Sequence, residues 1–537
     1  MTIKDFYWNK YILDRKQIYL YGASVTGKLI LKIFENYGIL PEAFIDSDSK
    51  KYGKRFCGYN VLSIKDIPKD CYIIITTSYG HIWEIENELR TKYFFDNIYS
   101  FPEILLTKTR FFSMKYKIEN SEKYEKEYQK IKFSYDKVEP YYLWADRIGE
   151  MVYRLKIWEK HQLNKNDRVY RILVPVLLSG GTDIANGRLL QIMARKINVI
   201  YLQNEELWSY IFSEHIQDLD MSKIDTYVMR WDKGFNNMVC PSDNMVYYSE
   251  FLYKKRGECD VLFTNEEKME AIDKCKKAGI NLEKETVCIF ARDEKYMGNR
   301  NKLNSNYNCQ EGRDSNIENY SLLIDYLKQL NYQIVRVGSI AEKKVKDKRV
   351  IDITNENYDE LLDLYINSIC RCWIGGDSGA NFIPQLFGKR AVYVNFSLII
   401  NIYSITTYCI DKSSLYIPKL YYSKKYRRYL NLEEMCKLNL LETEPGQYEE
   451  KYDIYMIENT PEDIFEAYKE SELKECGKWD YTEDRKKIQK RYREILDGIC
   501  CKYPKTPKRL RYFDTKNCIH PLEIGISFLE KYSFLLN

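Results

Sequence analysis

The chain has 537 residues, 45% of them hydrophobic, enough for about three or four domains with ordinary cores. Its 83 lysines and arginines stand against 78 aspartates and glutamates, and a net charge of +5 excludes a chain-wide basic field for nucleic acid. Fifteen cysteines without framework spacing or a C-x-x-C pair, with only four histidines, argue against a zinc site and predict reduced, buried thiols. The first residues lack the apolar core of a signal peptide, and no run of about 18 apolar residues occurs, so a cytoplasmic protein is expected.

Residues 1–105 read as one α/β unit. Gln17 to Tyr21 predicts a strand, Gly22 to Gly27 a turn, and Leu29, Ile30, Ile33 and Phe34 one face of a helix ending near Gly38. Ala43 to Asp46 and Tyr72 to Thr76 predict two more strands. Gly22, Gly27 and Lys28 have the spacing of a G-x-x-x-x-G-K loop, but Leu29 stands where Ser or Thr must hold Mg²⁺, so an NTPase is rejected. As a dinucleotide fingerprint the loop reads G-x-S-x-x-G, with Ser24 in place of the second glycine and Asp46 positioned for a ribose hydroxyl. Two readings stay open: a weak nucleotide site at Gly22, Ser24, Gly27 and Asp46, or a Rossmann-like scaffold without ligand. Asp46-Ser47-Asp48 also spells D-x-D, a pattern that elsewhere holds a metal; after the second strand of a Gly-loop unit it reads as coincidence. The segments Ile18 to Ser24, Phe44 to Asp48 and Gly58 to Ser63 resemble a family of Rossmann-like domains in bacterial surface-sugar proteins, found fused to or beside glycosyl-, acetyl- and methyltransferases.

Residues 106–165, rich in lysine and tyrosine, read as a helical connector. Residues 166–284 open a second α/β stretch, with strands at Tyr170 to Leu177 and Val199 to Leu202 around a helix over Gly187 to Ala194. Asp183, after the first of these strands, suits either a general base or a helix N-cap. Residues 285–430 open a third. Its strands are Val287 to Phe290, Gln333 to Val337, Arg371 to Ile374 and Ala391 to Asn395; its helices are Tyr320 to Leu330 and Tyr358 to Ile366. The turn Gly375-Gly376-Asp377-Ser378-Gly379 leads into a short helix, Ala380 to Phe387, stopped by Gly388. A glycine turn between a strand and a helix lets backbone N–H groups approach a phosphate. Arg292 and Asp293 follow another strand directly, where an arginine can fork onto a diphosphate. Arg313 to Tyr320 adds a second arginine beside cap-forming Ser315 and Asn316. Tyr421 to Tyr429 interleaves basic and aromatic residues, as a membrane-surface contact or a solvated face. Residues 431–537 read as a helical tail, with a start at Thr460-Pro461-Glu462-Asp463. The whole predicts α/β architecture: an N-terminal Rossmann-like domain, two facing Rossmann-like domains, and the tail.

A more specific resemblance rests on Arg292-Asp293, the run Arg313-Asp314-Ser315 to Tyr320, Gly338, Gly376-Asp377-Ser378-Gly379 to Phe387, and Val392 to Asn395. With Ala185-Asn186, Leu189-Leu190 and Ile524 to Leu536, these residues resemble a family of bacterial proteins assigned as glycosyltransferases of two-domain GT-B architecture, similar to heptosyl- and fucosyltransferases. The match spans roughly residues 165–537. One departure is Phe290, where family members usually carry histidine.

The resemblance implies a nucleotide-sugar donor held by residues 285–430 and a glycan or lipid-linked glycan acceptor held by residues 166–284. It implies donor contacts at Arg292, Asp293, Arg313, Ser315, Gly338, Gly376, Asp377, Ser378 and Gly379. An inverting reaction would need a general base near the acceptor hydroxyl, and Asp183 is the candidate. No metal or other cofactor is expected, because arginines and helix N-termini neutralise the leaving diphosphate in such enzymes. At most peripheral contact with the inner face of the membrane is expected. The alternatives are a non-catalytic sugar-nucleotide-binding or scaffold protein, favoured by Phe290, and an NAD-dependent oxidoreductase using the N-terminal loop.

Overall fold

In the computed structural model of the chain the described residues are 17–24, 27–28, 31, 40–76, 79–100, 121–135, 137–145, 147–149, 151–152, 155, 169–176, 184–195, 199–200, 263–292, 312–376, 378–397, 411–438, 440, 448–502 and 522–537. The chain divides into two compact units, Met1–Pro241 and Ser242–Asn537.

The first unit contains a six-stranded sheet. Its strands are β1 (Ile18–Tyr21), β2 (Ala43–Ile45), β3 (Arg55–Phe56), β4 (Tyr59–Leu62), β5 (Tyr72–Ile75) and β6 (Ile98–Ser100), in the order β3-β4-β2-β1-β5-β6. All pair in parallel except the β3–β4 hairpin. The hairpin turns on Cys57 and Gly58, both at positive φ, the geometry a two-residue turn needs to match strand twist. Among the described residues, the core of this sheet is formed by residues between Tyr19 and Ile98, including Ile45, Ile73, Ile75 and Phe95. The helix face expected of Leu29, Ile30, Ile33 and Phe34 lies outside the described residues.

A second, parallel sheet of this unit has the order β7-β8-β9, from β7 (Lys137–Trp144), β8 (Val169–Val176) and β9 (Val199–Ile200). Here the expected helical connector over 106–165 needs correction. Ser121–Ser134 is a helix, but β7 is an eight-residue strand paired along its whole length with β8. Pro140 masks it in the sequence. As an edge strand β7 tolerates a residue with no N–H to donate.

The second unit is built on a seven-stranded parallel sheet. Its strands are β10 (Thr286–Phe290), β11 (Gln333–Arg336), β12 (Val350–Asp352), β13 (Cys372–Gly375), β14 (Arg390–Phe396), β15 (Leu415–Pro418) and, from near the C-terminus, β19 (Glu523–Ile524). The order is β12-β11-β10-β13-β14-β15-β19. Apolar residues dominate these strands, as expected when helices cover both faces. A small antiparallel sheet joins β16 (Leu420–Ser423), β17 (Arg428–Tyr429) and β18 (Ile454–Ile457). The basic-aromatic run Tyr421–Tyr429 is its hairpin; Lys424 to Arg427 form an exposed tip, and Arg428 pairs with Glu434.

Two boundaries differ from expectation. The helix Asn265–Lys277, assigned by sequence to the 166–284 half, packs on the helix Glu360–Ile369 of the second unit, with Lys274 Nζ 2.5 Å from Asp359 Oδ2. The expected helical tail over 431–537 is not helices alone, since β18 and β19 belong to it and β19 extends the main sheet. The helix Pro461–Glu475 packs against β14 and β15 and the helix Ser321–Gln329. Buried Arg390 fixes it: its Nε lies 2.9 Å from Glu475 Oε2, and an N–H donates to Ser471 Oγ at 3.1 Å.

Candidate functional site

The strand order of the second unit sets where a ligand would lie. Sequence-adjacent β10 and β11 run to one side of the sheet. β13, β14 and β15 run to the other, so the direction of winding reverses between β10 and β13. At such a reversal the loops leaving the carboxyl ends diverge and open a crevice. Arg292 lies two residues beyond β10 and Gly376 one residue beyond β13, and the last residues of these strands, Phe290 and Gly375, are register partners. The two sequence motifs therefore leave the same end of neighbouring strands.

Ser315 joins them. Its N–H donates to the Arg292 carbonyl at 2.8 Å, and its hydroxyl oxygen would lie 3.1 Å from a Cβ placed on Gly376. Glycine is required at 375, where a Cβ would meet the Trp373 ring at 2.5 Å and Phe290 Cβ at 2.9 Å. The Arg292 guanidinium is buried, 3.4 Å from Asp314 Oδ1. Arg313 is half-buried. Ser378 starts the following helical turn, its hydroxyl accepting from the Ala380 N–H at 3.4 Å, with Gly379 next in line. Asp183, Asp293 and Asp377 lie outside the described residues.

Gly338 stands at the carboxyl end of β11 with φ 115, a conformation that favours glycine. Its N–H donates to Asp363 Oδ1 at 3.1 Å, so that donor is already used within the fold. Burial pushes the Asp363 carboxyl up to about 6, the Gly338 N–H acting in the opposite direction. Phe290, at the histidine position of the resembled family, is a core residue. Its ring stacks on Trp373 with centroids 5.9 Å apart and lies under Gly338.

Sequence reasoning missed Lys419. It follows β15, is 4% exposed, and its Nζ donates to the Asp314 carbonyl at 2.6 Å. Its signal was a lysine closing the apolar run Leu415 to Pro418. Two buried polar atoms were also missed: Asn381 Oδ1, after the glycine turn, and Asn395 Nδ2, at the end of β14, lack hydrogen-bond partners among the described residues. Such atoms are costly to bury unless something else satisfies them. Charged side chains at this edge include the cations Arg292, Arg313 and Lys419 and the acids Asp314, Asp363 and the nearby Glu458.

In the first unit the expected ligand residues are engaged with one another. Asp46 Oδ2 accepts from the Ala23 N–H at 2.9 Å and from Lys51 Nζ at 2.8 Å, while its Oδ1 accepts from the Asp48 N–H at 2.9 Å. Ser24 Oγ accepts from the Gly27 N–H at 3.3 Å, as a helix cap does. A Cβ on Gly27 would lie 2.1 Å from the Gly22 carbonyl, so this glycine serves close packing of helix on loop. Gly22 has φ 116. Asp48 caps a short helical turn by accepting from the Lys50 N–H at 3.0 Å. Among the described residues no group of three or more His, Cys, Asp or Glu side chains is gathered as a metal ion would need, and no helix is long and apolar enough to cross a membrane.

No family model matches the chain, and no curated protein matches it. Among solved structures it is similar to the E. coli ADP-heptose lps heptosyltransferase II at 11% identity and a TM-score of 0.29, over 48% of this chain and 84% of that one. The glycosyl transferase family 9 protein from Veillonella parvula DSM 2008 gives 11% identity and a TM-score of 0.29, over 86% of this chain and 98% of that one. The dodecameric iron-containing heptosyltransferase TibC, in complex with ADP-D-beta-D-heptose, gives 17% identity and a TM-score of 0.16, over 21% of this chain and 28% of that one.

Proposed function

We propose that the chain is a glycosyltransferase of GT-B type, active in surface or secreted glycan synthesis, that takes its nucleotide-sugar donor at the carboxyl edge of the seven-stranded sheet. One observation supports this most: Arg292 and the Gly376 turn leave neighbouring strands where the winding of the sheet reverses, bridged by Ser315. A diphosphate there would meet Arg292, Arg313, Lys419 and the amides of the glycine turn.

In the reaction an acceptor hydroxyl oxygen bonds to the anomeric carbon as the bond from that carbon to the β-phosphate oxygen breaks. The electron pair stays on the leaving diphosphate, and the cations neutralise it without metal. Asp183 is the residue we assign to take the hydroxyl proton. The acceptor is a glycan or lipid-linked glycan bound through residues of the 166–284 stretch, with at most peripheral membrane contact in the cytoplasm.

A second reading, a sugar-nucleotide-binding protein without turnover, draws on Phe290, whose core-packed ring offers no polar atom. An NAD-dependent oxidoreductase is disfavoured, because Asp46 already holds Ala23 and Lys51 where a ribose would bind.

The test is a thermal-shift screen against UDP-, GDP-, CDP- and dTDP-sugars, followed by release of the nucleoside diphosphate. A donor at 100 times its dissociation constant adds about 2.7 kcal/mol of stability. Arg292→Ala should weaken its binding by roughly 1.5–3 kcal/mol. A shift without diphosphate release under any acceptor would favour the second reading. Absence of any shift, or equal shifts in Arg292→Ala, would contradict both.

A further inference from the structure

Residues Glu458 and Asn459 stand outside every motif the sequence displays, yet the carboxyl edge of the main sheet is fastened through them. Asn459 is 1% exposed and bonded in four directions. Its N–H donates to Asn395 Oδ1 at 2.7 Å, and its Oδ1 accepts from the Asn395 N–H at 2.5 Å. Its Nδ2 donates to the Pro418 carbonyl at 2.8 Å, and its own carbonyl accepts from Asn319 Nδ2 at 3.2 Å. Glu458 Oε2 accepts from the Asn316 N–H at 2.8 Å and from Asn319 Nδ2 at 3.0 Å.

These bonds gather three segments far apart in sequence. Asn316 and Asn319 close the run that carries Arg313, Asp314 and Ser315. Asn395, the last residue but one of β14, has a left-handed conformation, φ 53, which asparagine tolerates better than most residues. Pro418 ends β15 and is followed by Lys419, whose ammonium donates back to the Asp314 carbonyl. The helix Pro461–Glu475 does not need them, because Thr460 and Asp463 already cap its N-terminus reciprocally. The polar groups of 458 and 459 therefore serve the edge rather than their own helix.

We propose that Glu458 and Asn459 are positioning residues for nucleoside diphosphate binding, setting the separation between the Arg313–Ser315 run and Lys419. The proposal rests on the reading of this edge as the donor site. A cationic clamp contributes affinity only while its members are held at phosphate spacing, and displacements of an ångström are felt. Glu458 needs only an acceptor oxygen for its two bonds, so glutamine should replace it and alanine should not.

The test uses the full chain and calorimetric titration with UDP, GDP, CDP, dTDP and ADP. Four variants are compared with wild type: Glu458→Ala, Glu458→Gln, Asn459→Ala and Thr460→Ala. The last removes a helix cap in the same segment without touching the edge, so it controls for stability alone. We expect Glu458→Ala and Asn459→Ala to weaken the best nucleotide by about tenfold or more, as loss of two or more hydrogen bonds implies. Glu458→Gln should stay within about threefold, on the same reasoning. Thr460→Ala should lower the melting temperature and leave affinity unchanged. Unchanged affinity in Glu458→Ala and Asn459→Ala, or an equal loss in Thr460→Ala, would overturn the positioning role while the site reading stands. If wild type binds none of the five, the site reading falls and the proposal with it.

Discussion

Asp363 shows how a single residue beside the candidate site affects stability. It lies on the helix Glu360–Ile369 and is 3% exposed, and burial, which disfavours the charge, pushes its carboxyl from the ordinary 3.8 up to about 6. Between those values the folded state holds a proton that the unfolded state has lost. Stability from this group is therefore full below the lower value and falls as pH rises through the upper one. The difference is on the order of 3 kcal/mol. Asp363→Asn keeps an acceptor for the Gly338 N–H and removes the charge. Denaturant unfolding of both proteins should show the variant gaining on wild type by about that amount between roughly pH 4 and 7; a flat difference would contradict it. At the same scale Asp46 explains a limit of sequence reading. Its place at the end of β2 was legible, but Lys51, which occupies it, reaches back from a short helical turn that no motif announces.

Elements were legible where their apolar pattern was long or their caps strong. The helix start at Thr460-Pro461 forms the reciprocal cap expected of it, and β10, β11, β13 and β14 lie where their apolar runs predict. The elements that escaped are short or chemically masked: β12 has three residues, β19 two, and β7 contains Pro140. β19 is held by contacts remote in sequence. Glu470, on the helix Pro461–Glu475, accepts from the N–H groups of Ile526 and Ser527 at 3.0 and 2.9 Å, and its carboxylate pairs with buried Lys474 at 2.8 Å. Glu470→Ala would leave both the Ile526 helix start and the Lys474 ammonium without it. We expect a loss of about 3–5 kcal/mol in urea unfolding, against a smaller loss in Glu470→Gln. A change below about 1 kcal/mol would show that this junction is not fixed by the pair.

At the scale of the whole molecule, two described cores share no residue. One lies between residues 19 and 98, the other between residues 275 and 535. Parallel α/β organisation was visible in the alternation of strand and helix signals. The assignment of 263–284 and 523–524 to the second sheet was not, because it depends on pairing across long sequence separations. Separate cores predict that deleting residues 1–105 leaves a folded protein with nucleotide binding intact, measurable by circular dichroism and titration. Loss of binding in a folded remainder would move the donor site, or part of it, into the first unit.

The central claim is that the edge where β10 and β13 diverge binds the nucleoside diphosphate part of a donor. Hydrogen–deuterium exchange of the full chain, with and without saturating nucleoside diphosphate from the same panel of five, tests it most directly. Slowed exchange is expected in peptides covering residues 290–292, 313–320 and 376–382, with the Gly22–Asp46 region unchanged. Protection confined to Gly22–Gly27 and Asp46, or absent from all of these peptides, would contradict it.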